Sequence, residues 1–237
     1  MTTWQVGGRV LRAGLVTTQR EREACYQLRY EEYHDRLGQI PPNSSGLDID
    51  WCDAHSTHMM VVLEGENKLI GTSRSIPCDK GYLLAGKSDE GPCHFSGEPF
   101  RFPYKHPQNG HLLRPEETTE ISRWVGRALP LGNGDLALVS MLLLEATLQY
   151  SRNAGVKHWV CAITDRPWRN ACADGWGFIE LIRRPDGKAH PYVKADGQVI
   201  PDAEVRVCLL PIPDRPEKDY LCRRVIETNR STLKRAG

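Results

Sequence analysis

Three aspartates, Asp48, Asp50 and Asp53, lie close together in the sequence. Their charges can attract an ammonium group, and the same spacing suits a solvated turn capped by its own aspartates. Glu120 directly precedes the apolar Ile121 in a strand-like stretch. A carboxylate buried there would have a raised pKa and suit a general base, or it would pair with Arg74 or Arg123. Arg29 and Tyr33 are four apart and share a face if the segment is helical. A salt bridge from Arg29 to an aspartate is compatible with a role in shaping a substrate site. Together these groups suit acylation of an amine, which needs a deprotonated nucleophile, a held thioester and donors for the developing oxyanion. That chemistry needs no covalent intermediate. Consistently, the sequence has no G-x-S-x-G elbow and no cysteine in a nucleophile motif.

Further residues have chemistry of their own. Gly132 and Gly134, before a long apolar helix pattern, form a weak phosphate-cradle motif; a turn capped by Asn133 or Asp135 accounts for them equally. Arg127, Arg152, Lys157, Arg166 and Arg169 would dock an acidic carrier protein or form an ordinary solvated face. Cys52-x-x-His55-x-x-His58 resembles half of a metal site, but a structural zinc site needs paired spacings and a fourth ligand, so no metal is expected. The eight cysteines include no C-x-x-C pair, and thiols are expected rather than disulfides.

The elements that must position these groups follow from periodicity and turn chemistry. Residues 4–16 read as extended. Thr17 or Thr18 caps a helix in which Cys25, Leu28, Tyr33 and Leu37 keep helical spacing, and Gly38 stops it. A turn-rich stretch with the aspartates leads to a hairpin of 58–64 and 68–76. Residues 77–115, rich in Gly, Pro, His and Lys, read as a loop insertion. A strand over 117–125 precedes the clearest helix, 134–153, with Leu136, Val139, Leu142, Leu143 and Ala146 on its buried face and Gly155 at its end. Strands at 158–163, 178–182 and 205–210, a short helix at 166–174, a polar arm between the last two strands and a basic helical tail over 213–237 complete the chain. The order predicts a mixed, mostly antiparallel α/β sheet flanked by helices in one domain, 1–237.

Composition agrees with a globular protein: 237 residues, 40% hydrophobic, 26% charged, net charge +1. The balanced charge gives no reason to expect nucleic acid. No apolar run reaches the roughly 18 residues of a membrane span, and the N-terminus has no apolar signal core. A cytoplasmic location is expected.

The segment CYQLRYEEYHDRLGQIPPNSSGLDIDWCD, a hairpin ending GTSRS, and TEISRWVG together resemble the acyl-homoserine lactone (autoinducer) synthases and the N-acyl amino acid synthases, including acyltransferases associated with exosortase systems. In those proteins an Arg and an aromatic on the first helix, a D-x-x-D, an Arg ending the hairpin and an E-x-S-R strand recur; here they fall on Arg29, Tyr33, Asp50, Asp53, Arg74, Glu120, Ser122 and Arg123. The resemblance covers about residues 20–180. It implies the acyltransferase (GNAT) fold and an enzyme that moves an acyl group from an acyl carrier protein or CoA thioester, its only co-substrate besides the amine, with no permanently bound cofactor. By the same resemblance Glu120 and Arg74 are catalytic, Arg29, Tyr33, Asp50 and Asp53 face the acceptor, and Ser122, Arg123, Trp124 and Arg127 face the donor. Gln39 stands where autoinducer synthases usually carry a Trp, and LGQIPP and AHSTH look more like the amino-acid branch. An amino acid or related amine is therefore the first acceptor and S-adenosylmethionine the second. A catalytically silent module that senses acyl-CoA is the alternative of another class; a retained Glu120 speaks against it.

Overall fold

The computed structural model describes residues 2–6, 8–80, 105–127, 135–164, 178–182, 189–193 and 199–212. The chain opens with β1 (Thr2–Val6) and β2 (Arg9–Leu15), an antiparallel hairpin turning through Gly8 at φ +74°. The segment expected as one extended stretch is thus two strands: a glycine that takes positive φ without cost lets the chain reverse there. Thr18 caps α1 (Gln19–Tyr30) in a reciprocal capping box with Glu21. The helix then widens into a π-helix over Glu31–Arg36 and ends before Gly38, φ +59°. Tyr33 therefore sits on a π-turn rather than on a regular α-face.

Asp50 caps a short 3-10 helix, Trp51–His55, with Asp53 closing a second capping box. It leads into β3 (Thr57–Leu63) and β4 (Lys68–Pro77), joined by Glu64–Glu66 and the left-handed Asn67. Next come β5 (Thr118–Gly126), α2 (Asp135–Asn153), β6 (His158–Thr164), β7 (Ile179–Ile182), β8 (His190–Val193) and β9 (Val199–Pro211). The polar arm expected before the last strand contains β8, which pairs with β9. Its polar sequence lacks the apolar alternation that marks a strand, and pairing supplies the order instead.

Among the described residues the strands form one sheet in the order β1-β2-β3-β4-β5-β6-β9-β7, with β8 also on β9. All pairings are antiparallel except β5 with β6. Val139, Leu142, Leu143 and Ala146 of α2 pack on Leu11, Met59, Val61 and Ile70, one face of the sheet. The approach is close: a Cβ on Gly71 would lie 2.6 Å from Val139 Cγ1. Further along, Leu144 and Leu148 meet Ile121, Trp159 and Leu210. Cys25 of α1 joins Met60 and Val62 on the opposite face. No described helix is long and apolar enough to cross a membrane.

The phosphate-cradle motif at Gly132 and Gly134, the helix at 166–174 with Arg166 and Arg169, the basic tail and most of the loop insertion lie outside the described residues.

Candidate active site

The site is built where β5 changes partner. β5 and β6 run parallel and in register only for Thr118–His158, Thr119–Trp159 and Glu120–Val160. Beyond that level β5 continues along β4 to Gly126, while β6 continues along β9 to Thr164. The sheet therefore has a fork, and Glu120 stands at its root, only 3% exposed. On β5 the register against β4 shifts between the Thr72–Val125 and Arg74–Ser122 pairs. The extra residue of this bulge coincides with Arg123 at φ +51°, a left-handed conformation rare for arginine.

Beside the fork lies a buried ionic cluster. Arg29, fully buried on α1, donates from Nε to Asp48 Oδ2 (2.8 Å) and from Nη1 and Nη2 to the two oxygens of Asp53 (2.8 and 3.0 Å). Arg74, fully buried on β4, donates from Nη1 to Asp50 Oδ1 (2.7 Å) and Asp53 Oδ1 (3.1 Å), and from Nε to Ser122 Oγ (3.1 Å). Arg123 reaches Asp48 with Nε at 2.8 Å and Nη2 at 3.3 Å, and Asp50 Oδ2 at 3.5 Å. Its guanidinium lies over the ring of Tyr33, 5.3 Å from the centroid, and Tyr33 Oη points at the carbonyl of Trp124, 3.5 Å away.

The electrostatics follow from this geometry. Burial opposes ionisation of Asp53, but the hydrogen bonds from Arg29 and the charge of Arg74 outweigh it, so the carboxyl stays well below its usual range. At Asp48 burial is likewise outweighed, by Arg123 and then Arg29. The three arginines offset the three aspartates, which is how a charge cluster tolerates burial. Three polar atoms of the arginines and aspartates remain over: Arg74 Nη2, Arg123 Nε and Asp50 Oδ2 are buried and make no hydrogen bond among the described residues, although Arg123 Nε keeps its ion-pair contact with Asp48. Asp50 and Arg123 are the cluster members with exposed side-chain surface, 19% and 15%.

Sequence reasoning thus named residues that the fold brings together: Arg29, Asp50, Asp53, Arg74, Ser122 and Arg123 form one network, with Tyr33 stacked on it. The network also shows which of them meet one another rather than solvent. Arg29 and Asp53 are engaged bidentately in the interior; Asp50 and Arg123 form the open edge. Arg127, one-third exposed, pairs with Glu31 and Glu32 of the π-turn. Trp124 packs its ring between the two clusters that α2 makes with the sheet.

Two residues gain weight that the sequence did not give them. Asp48 joins α1 to the β5 bulge through Arg29 and Arg123; its signal was membership of the aspartate group. His58 was weighed only as a metal ligand. It is buried opposite Arg74 in the β3–β4 ladder, edge-on to Tyr26 and 3.5 Å from Asp53 Oδ1. Burial pushes its pKa down to about 4, despite Asp53. His55 is exposed. Among the described residues no group of three or more His, Cys, Asp or Glu could hold a metal ion. Glu120 also acts on its surroundings: burial first, and the Glu120 charge with it, raises the pKa values of Cys52, Cys78 and Cys161.

Comparison with known proteins places this architecture. Residues 28–125, which hold the whole cluster and Glu120, match the family described as acetyltransferase (GNAT) domain. No curated sequence matches the chain. Among solved structures the fold is similar to MesI, a CoA-dependent acyl-homoserine lactone synthase (21% identity, TM-score 0.61, covering 91% of this chain and 95% of that one). It is similar to BjaI, another such CoA-dependent synthase, solved with SAM and isopentyl-CoA (12%, 0.62, 91% and 89%). It is similar also to the AHL synthase LasI (14%, 0.58, 86% and 90%). At these identities the likeness is one of fold.

Proposed function

We propose that this protein, in which an acetyltransferase (GNAT) domain spans the candidate site, is an N-acyltransferase. It moves an acyl group from a CoA or acyl carrier protein thioester to the amine of an amino acid or related small molecule. The observation that carries this reading is the fork between β5 and β6 with Glu120 at its root. A fork in a sheet admits a long thin group, such as a pantetheine arm, and frees backbone groups to bind it. Glu120 removes the proton from the attacking amine. The amine nitrogen bonds to the thioester carbonyl carbon, a tetrahedral oxyanion forms, the C–S bond breaks, and the thiolate leaves with a proton.

On this reading the acceptor approaches the open edge of the cluster. Asp50 Oδ2 holds its ammonium before transfer, and Arg74 Nη2, the unfilled donor, holds its carboxylate or equivalent oxygen. Arg29, Tyr33 and Asp53 shape that edge from behind. Arg74 is catalytic in the sense that it would touch the substrate. Ser122, Arg123, Trp124 and Arg127, in sequence along β5 and just beyond it, line the donor side.

A second reading is acyl-homoserine lactone synthesis from S-adenosylmethionine, favoured by the fold shared with BjaI, which was solved with SAM and an acyl-CoA. Mass spectrometry of lipid extracts from an overexpressing bacterial host separates the two. N-acyl amino acids absent from an empty-vector host support the first reading; acyl-homoserine lactones move the assignment to the second. An unchanged extract counts against both.

A further inference from the structure

We propose that Arg123 is a positioning residue whose side chain holds the β5 bulge in its left-handed conformation, so that Trp124 and the strand beyond it are aimed at the fork. The inference rests on the acyltransferase reading for its kinetic consequence only. A left-handed backbone is unfavourable for any residue with a Cβ, and glycine alone adopts it freely. Here an arginine occupies φ +51° at the one point where β5 slips against β4. Such a conformation persists only when the surroundings enforce it, and three contacts at Arg123 and its neighbour do so. Asp48 takes the guanidinium at 2.8 and 3.3 Å. Tyr33 of the π-turn lies beneath it at 5.3 Å. The Tyr33 hydroxyl points at the carbonyl of the next residue, Trp124. Asp48 is itself fixed by Arg29 of α1. The side chain of Arg123 therefore ties its own backbone to α1, the π-turn and the aspartate loop together. A glycine here would make the same bend without any clamp; the arginine makes the bend dependent on the cluster.

This dependence separates backbone positioning from every role in which the guanidinium acts directly. Arg123→Gly and Arg123→Ala both delete the guanidinium, but only glycine keeps the left-handed bend accessible. The proposal predicts that kcat for CoA release from octanoyl-CoA, with pooled amino acids as acceptor, is roughly tenfold lower in Arg123→Ala than in Arg123→Gly, whatever both lose with the guanidinium. The KM for octanoyl-CoA should be about the same in the two variants, since both lack the guanidinium. Amide hydrogen exchange over residues 118–127 should be fastest in Arg123→Ala. If glycine and alanine are equally impaired, or glycine is the worse, the arginine acts through its charge and the proposal is overturned. If the wild-type protein releases no CoA, the acyltransferase reading fails on its own. The exchange order of the two variants then still decides the positioning claim, for it must show alanine faster than glycine. Tyr33→Phe and Tyr33→Leu provide a second line: a greater loss in leucine than in phenylalanine places the effect in the stacked ring, equal loss in both places it in the hydroxyl that faces Trp124, and wild-type exchange and kcat in both contradict the clamp.

Discussion

At the scale of single residues the cluster divides, on the proposed function, into members that hold the fold and members that would face a substrate. Asp53 accepts two hydrogen bonds from Arg29 and one from Arg74 at 3% exposure. Asp53→Asn should therefore act on stability: removing one partner of a buried ionic network costs about 3–5 kcal/mol. A drop in melting temperature, with the KM of the protein that remains folded nearly unchanged, is the expected pattern. Asp50, with exposed side-chain surface and a spare oxygen, should behave oppositely. Asp50→Asn should raise the KM for the amine several-fold and cost less stability, as read by acceptor titration and thermal melting side by side. Glu120→Gln should lower kcat by about 10²–10⁴-fold while the melting temperature moves little. A variant with wild-type kcat would make Glu120 a structural group.

The elements that carry these residues depend on close packing at a few points. Gly71 is one. Its missing Cβ lets α2 approach β4, and a methyl group there would meet Val139 at 2.6 Å and Leu143 at 3.3 Å. Gly71→Ala should destabilise by about 1–3 kcal/mol through overpacking, measured by denaturant unfolding. It should leave the KM values of the folded fraction unchanged, since α2 covers the face opposite to Arg29. Much of this framework was legible in the sequence, because the apolar period of 139–146, the hairpin of β3 and β4 and the cap at Thr18 are local signals. The π-turn was not, since its residues keep a helix-like composition whichever way the turn winds. Nor was the bulge, since nothing in EISRWVG marks Arg123 as left-handed; an Asn or Gly would have. Of the site, the residue types and their company were readable, whereas the partners were not: pairing of Arg29 with Asp53, rather than with a substrate, is a property of distance, and distance is set by the fold.

Across the whole molecule, the neutral His58 links the cluster to overall stability. Its pKa is pushed down by burial to about 4, below the 6.5 of an exposed histidine. The unfolded chain then binds more protons between those two values, so stability is full above about pH 6.5 and declines as pH falls toward 4, by up to about 3 kcal/mol. Asp53 and Asp48, whose pKa values are lowered in the fold, add a further loss below the ordinary aspartate range. Melting temperature against pH should show the first decline in the wild type and a flatter profile in His58→Phe, which keeps a ring against Tyr26 and cannot take the proton. On the proposed function, the fork, the glutamate and the neutralised cluster together bring a thioester to an amine. The most direct test is to incubate the purified protein with octanoyl-CoA and the pooled amino acids, and to read free thiol and octanoyl amide together. Stoichiometric appearance of CoA and an N-octanoyl amino acid is the predicted result. CoA released without any amide, or neither product with octanoyl-CoA or octanoyl carrier protein, would contradict it.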